Sequence, residues 1–293
     1  MKAIALASLS LLLVAATAGA QILHEETGFT RIERPAGAPA TVHEAVQNLR
    51  SRVHANVINL DSHSSSFVIP IAGNAQGNGG TYFRSDFTIA NYRSSAQRIS
   101  VSWLAQGQNN ANSPVTYFNL PANTTVAQDD FVGISLGKTG LGGVAVIGVD
   151  SNGNSDDNAQ LDGFSRIWTP QPGSAGSVSQ NFDAVSLTDS IGSITAYIVG
   201  LKQSSAFRSN IGVVNLDSSA HSWTARSLYT GVATTLTVQP YSVTQTGLAA
   251  GSGSSGGNLS VSLNSDGFGF FWTAYASSTD NVTGDGWVAR AKQ

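Results

Sequence analysis

One short stretch occurs twice, and its spacing constrains the fold more than any other feature of the chain. Phe83-Arg84-Ser85-Asp86 runs on to Asn91 and Ser94-Ser95-Ala96. Phe207-Arg208-Ser209-Asn210 runs on to Asn215 and Ser218-Ser219-Ala220. The offset is 124 residues throughout. That is the length of a whole domain, so the chain should fold as two copies of one unit.

The period inside the stretch gives the class of that unit. Phe83, Ser85, Phe87, Ile89 and Asn91 share one face of a strand, and Arg84, Asp86, Thr88 and Ala90 share the other. In the second copy Phe207, Ser209, Ile211 and Val213 face in, while Arg208 and Asn210 face out. Further runs follow at Ile99–Trp103, Val115–Leu120, Thr124–Phe131, Val144–Asp150 and Phe164–Trp168. Their partners lie around Trp223 and Leu228, then at Thr234–Val238, Ser242–Leu248, Leu259–Leu263 and Phe268–Tyr275. Gly163-Phe164 to Trp168 and Gly267-Phe268 to Trp272 share the spacing Gly-Phe-x-x-x-Trp and serve as a second anchor. About seven short strands per half predict an all-β protein of two tandem immunoglobulin-like-sized β-sandwich domains.

The predicted boundaries are a signal peptide at 1–20, an N-terminal segment at 21–65, and β-sandwich repeats at 66–188 and 189–293. Lys2, the apolar run Ile4 to Val14 and the small residues Ala18-Gly19-Ala20 make the leader. The run is too short to span a membrane, and no later stretch is longer and as apolar. Thr41-Val42-His43-Glu44 reads as a capping box opening a helix at about 41–52.

Aligned on these motifs, the halves drift apart: the offset falls to 119 at Pro121 and Pro240, 114 at Gly143 and Gly257, and 104 at Phe164 and Phe268. The first copy therefore carries extra residues. The largest excess falls in the acidic loop Asp150–Gly163, which shrinks to about Asn264–Gly267 in the second copy. Extra length on a rigid scaffold is where function tends to sit.

Composition removes several function classes. With no cysteine, disulfides, thiol catalysis and cysteine–zinc sites are excluded. Only 11% of residues are charged, the net charge is −3, and no basic patch stands out, which argues against nucleic acid.

Catalytic patterns fail in turn. Gly133-x-Ser135-x-Gly137 and Gly253-x-Ser255-x-Gly257 fit the nucleophile-elbow count but lack its strand–turn–helix setting. His43-Glu44 has Gln47 where a second zinc-binding His belongs. His24, His43, His54 and His63 match no metal spacing. Asp129-Asp130 and Asp156-Asp157 are neighbours, which point apart on a strand.

The loop from Asp150 to Asn158 is the one candidate site. Asp150, Asn152, Asn154 and Asp156 place oxygens at alternate positions, as calcium would require. A long solvated turn is the other reading. Leu161 at the twelfth position, where a bidentate Glu belongs, weighs toward the turn. Asp280-Asn281-Val282-Thr283-Gly284-Asp285-Gly286 reads as a tight turn ordered by its own side chains. Arg84 and Asp86 read as a surface ion pair or cross-strand partners. Trp103, Trp168, Trp223, Trp272, Tyr117 and Tyr275 read mostly as core by parity.

The duplicated Phe-Arg-Ser stretch, Pro121 and Gly143 before strands, Ser165-Arg166, and Asp280-Asn281-x-Thr283-Gly284-Asp285 together resemble a group of secreted bacterial proteins. Those proteins carry two tandem β-sandwich repeats and mostly have no assigned function. The resemblance covers about residues 66–289. It implies an extracellular or periplasmic setting and transfers no catalytic residues. The expected function is a non-catalytic structural, adhesive or surface-associated protein whose partner is an extracellular glycan or cell-surface protein. A carbohydrate-binding module is the first alternative and requires a row of exposed aromatics. A hydrolase with a site between the sandwiches is the second and requires converging carboxylates or a His with a carboxylate.

Overall fold

A computed structural model describes residues 24–53, 64–77, 80–171, 173, 175–187, 190–191 and 193–293. The expected leader, His54 and His63 lie outside them. The chain opens with β1 (His24–Thr27), β2 (Thr30–Ile32) and α1 (Val42–Val53). The first half continues through β3 (Ser66–Gln76), β4 (Tyr82–Asn91), β5 (Gln97–Ala105), β6 (Val115–Leu120), β7 (Thr124–Gln128), α2 (Phe131–Ile134), β8 (Gly140–Val149), β9 (Leu161–Pro170), β10 (Ser177–Asp183) and β11 (Val185–Ser186). The second half runs β12 (Thr195–Lys202), β13 (Phe207–Asn215), β14 (His221–Ser227), β15 (Ala233–Val238), β16 (Ser242–Gly247), β17 (Asn258–Ser265), β18 (Trp272–Asp280) and β19 (Gly286–Arg290).

The fold is all-β, and its two halves pair their strands in the same order. In the first half one sheet runs β7-β4-β9-β10 and the other β3-β8-β5-β6. In the second half the sheets run β16-β13-β18-β19 and β12-β17-β14-β15. A corner joins the two sheets of the first half, where Ala75 and Gln76 of β3 pair with Phe83 and Tyr82 of β4.

Alternation in the repeated stretch comes out as expected. Ser85, Phe87, Ile89 and Asn91 are buried, and so are Ser209, Ile211, Val213 and Asn215. Asn91 and Asn215, both fully buried, tie each sandwich together at the same place. The Asn91 amide donates to the carbonyls of Ser95 (3.0 Å) and Pro121 (2.7 Å), and its oxygen accepts from Arg93 N–H. The Asn215 amide donates to Ser219 (2.7 Å) and Gln239 (3.2 Å), and its oxygen accepts from Asp217 N–H. One side chain thus satisfies the backbone of two turns that would otherwise bury unpaired groups.

The second sequence anchor does not hold. Leu161 pairs with Asn91, whereas Trp272 pairs with Asn215, so the equivalent strands are offset by 111 residues, not 104. Gly163-Phe164 lies inside β9, while Gly267-Phe268 lies in the bend before β18. The reason is burial on both sides of β18. Trp272, Ala274 and Ala276 face the core of the second sandwich, and Tyr275 faces the first. With no solvent face, β18 shows no alternation to set its register. The excess in the first-half loop survives this correction but is smaller. That loop now runs from Val149 to Leu161, against Ser265 to Trp272 in the second half.

The N-terminal segment does not stand apart. β1 adds to β7 in parallel, and β2 adds to β6 antiparallel, so both sheet edges are covered. The helix forms where the capping box predicts. Thr41 Oγ1 accepts from Glu44 N–H, and Glu44 Oε2 accepts from the N–H groups of Ala40 and Thr41. These bonds hold the Glu44 carboxyl below its ordinary pKa. Val42, Ala45, Val46 and Leu49 then fall on one helical face, buried against the first core. Among the described residues no helix is long and apolar enough to cross a membrane.

Candidate functional site

The two sandwiches meet in a seam that belongs to one core. Val214, Leu216, Tyr241, Val243 and Tyr275 of the second half are buried in the cluster of the first. Tyr275 meets Phe182 edge-on at 5.2 Å between ring centroids. Tyr241 is the central contact. It sits at φ 48, where its counterpart Asn123 has φ 49. Asn tolerates that left-handed conformation and a bulky ring does not, so the conformation is imposed by what the ring touches. Its hydroxyl lies 2.9 Å from His43 Nδ1 and accepts from Gln47 Nε2, both on α1. Its carbonyl accepts from the amide of Asn110 in the first sandwich (3.0 Å). Burial pushes the Tyr241 phenol pKa up.

The helix makes a second tie through charge. Arg50 donates to Asp217 Oδ1 at 3.0 Å and to the Leu216 carbonyl at 3.1 Å, and lies over the Phe271 ring. Asp217 also faces His221 Nε2 at 3.2 Å, while His221 Nδ1 faces Asp266 at 3.0 Å. Burial raises the Asp217 pKa, but hydrogen bonds from Arg50 and His221 outweigh it and leave the carboxyl below its usual range. A depressed folded-state pKa contributes stability above the unfolded value of about 3.9, and that contribution is lost as pH falls through the folded value. The stability gap between the protein and Asp217→Asn should therefore shrink steadily as pH is lowered from about 5. Urea unfolding across that range measures it. A gap independent of pH would remove Asp217 from the seam's energetics.

The acidic loop has its oxygens engaged within the protein. Asp150 Oδ1 accepts from the N–H groups of Asn152 and Asn154, both at 2.9 Å. Asn154 Oδ1 accepts from Asn48 Nδ2 on α1, and Asn48 Oδ1 accepts from Ser155 N–H. Asp156 pairs with Arg93 at 2.8 Å. Asn152 is exposed. Among the described residues no three His, Asp or Glu side chains group as metal ligands. The loop's extra length is explained by what crosses it. Gly153 (φ +79) packs so closely on Ala38 that a Cβ would come within 2.1 Å of the alanine's own. Calcium at millimolar concentration should leave the melting midpoint where a chelator leaves it. A clear rise would favour the metal reading over the turn.

The other expected sites are structural in their contacts. Asp280 Oδ1 accepts from the N–H groups of Val282 and Thr283, an Asx turn that lowers its pKa. Asp86 meets Arg166 directly across the strand pair at 3.5 Å, and Arg84 lies 4.0 Å from Asp130. Such part-exposed pairs contribute at most about 1 kcal/mol. Ser135 ends the four-residue α2 and forms no elbow. Trp103, Trp223, Trp272, Tyr117 and Tyr275 are buried. Trp168 is the exception to the parity reading, because it faces outward with the guanidiniums of Arg84 and Arg166 at 6.0 and 5.5 Å from its ring centroid.

A cavity of about 230 Å³ lies at the seam. The first sandwich supplies a mostly apolar wall that includes Ile71, Phe83, Ile167 and Phe182, with the polar Ser179 and Gln180 of β10 beside them. The second supplies a polar wall of Arg208, Asn210, Gln245 and Ser277. Among the described residues, no carboxylate or histidine lines it. Arg208 donates to Asn281 Oδ1 at 2.8 Å. It has no ion pair among the described residues, unlike its sister Arg84. Strand parity assigns Arg208 to an outward face and says nothing of what that face meets. The signal that could have marked it is the change from Asp86 in one copy to Asn210 in the other. Comparison with known proteins finds no family model and no curated relative that matches this chain.

Proposed function

We propose that the protein is an exported, non-catalytic module of two duplicated β-sandwiches that acts structurally or adhesively at a bacterial cell surface. The observation that carries this is the seam. The place where a two-sandwich hydrolase would converge its acid and base has an apolar wall facing neutral polar groups and one cation. The shared strand order supports descent of both halves from one unit. The low charge and the leader-like N-terminus support export. A carbohydrate platform finds less support, since five of the six aromatics considered for it are buried and the sixth, Trp168, already carries two arginines at its ring. The test is retention of the mature protein on intact bacterial cells and on a glycan array. Saturable retention on cells supports the adhesive reading. Binding to isolated glycans in preference to cells would favour the carbohydrate module, and binding to neither would remove both.

A further inference from the structure

We infer that the seam cavity is a binding site for a small amphipathic carboxylate, an aromatic or short aliphatic body carrying one negative charge. Its shape comes from the way the halves dock. The open end of the first sandwich's interior presents Ile71, Phe83, Ile167 and Phe182, and the outer face of the β13–β18 sheet closes over it. A cavity of about 230 Å³ exceeds the roughly 150 Å³ that holds a benzene ring, and leaves room for a charged head. Phe83, Ile167 and Asn210 are half-buried and Arg208 is exposed, so the cavity opens to solvent.

The charge preference comes from a difference between the two copies. In the first, the outward face of β4 is self-neutralised: Arg84 lies against Asp130, and Asp86 pairs with Arg166. The strand register makes Asn210 the counterpart of Asp86, and Ser277 the counterpart of Arg166. The second copy therefore keeps its arginine and lacks the acid, on the face turned into the cavity. Asn210 and Ser277 side chains have no hydrogen-bond partner among the described residues, and Gln245 accepts from Tyr275 with its oxygen, which leaves its amide N–H groups to donate. The wall thus offers a guanidinium fork and neutral donors, the set that recognises a carboxylate against an apolar floor.

The experiment is an NMR titration of the mature protein with benzoate and with its neutral isostere benzamide. It is repeated on Arg208→Gln and on Asn210→Asp, which restores the acid of the first copy. Benzoate should bind saturably at about millimolar concentration, as a ligand this small generally does, and shift residues of both walls. Benzamide should bind at least about tenfold more weakly, and each variant should weaken benzoate binding by a similar factor with an unchanged melting midpoint. Absence of saturable shifts, equal binding of benzamide, or benzoate binding that survives both substitutions would overturn the inference. It is independent of the adhesive reading, which cell retention tests and which stands or falls separately.

Discussion

Tyr241→Ala is expected to destabilise the protein by about 3–5 kcal/mol, the usual cost of removing a large buried ring. The site cannot easily collapse, because the ring is fully buried and the residue is held from two sides. His43 and Gln47 meet its hydroxyl from α1, and Asn110 meets its carbonyl from the first sandwich. Alanine would keep the unfavourable left-handed backbone at φ 48 without the ring that imposes it. A qualitative change should accompany the destabilisation. The seam's apolar residues belong to the first core, whereas Trp223 and Trp272 lie in a separate second core. Loosening the seam should therefore split one cooperative transition into two, read by urea unfolding with fluorescence and circular dichroism as separate probes. Tyr241→Phe, which keeps the ring, should cost only about 1 kcal/mol for each hydrogen bond that the hydroxyl makes. If Tyr241→Ala unfolded in one transition within about 1 kcal/mol of the parent, the seam would not be the coupling element.

The second large effect should come from Asn215→Ala, and equally from Asn91→Ala in the other sandwich. Each amide closes two carbonyls and one N–H at a site with no solvent access. Each buried group left unpaired costs about 1–3 kcal/mol, so a destabilisation of about 3 kcal/mol or more is expected at either position. Asn→Asp should fail nearly as badly, since it removes the donor and brings a charge against two carbonyl oxygens. Thermal melts of the four single variants make the comparison. A change below about 1 kcal/mol at both positions would mean that water replaces the amide without difficulty.

Legibility followed the number of dry faces a strand has. β4 and the first part of β13, Phe207 to Ile211, show alternation because one face there meets solvent or the polar side of the cavity, and the two copies can be read against each other. The capping box at Thr41 and Glu44 is readable because helix starts are local chemistry within four residues. β18 resists alignment because both its faces are buried, so the Gly-Phe-x-x-x-Trp spacing prevails over a pattern that is not there. Trp168 departs from the parity reading that put most of the aromatics in the core, because it lies on the outward face of β9. The acidic loop stands out as an asymmetry between the copies, but its partner, Asn48 on α1, lies 106 residues away from Asn154.

Residue spacing and local capping were enough for the all-β class, the duplicated framework strand and the helix start. Alternation and capping act over a few residues, and a duplication is seen by matching such short stretches, so all three are written into the chain itself. That the acidic loop serves the N-terminal segment, and that Tyr241 couples the halves, became visible only in three dimensions. So did the placement of the second copy's arginine beside a cavity. Each of those depends on residues far apart in the chain meeting across a surface, and the free energy of such contacts leaves no periodic trace in either partner. The Phe-Arg-Ser stretch is framework in both copies, and its second arginine acquires a different setting only because the first sandwich is docked against it.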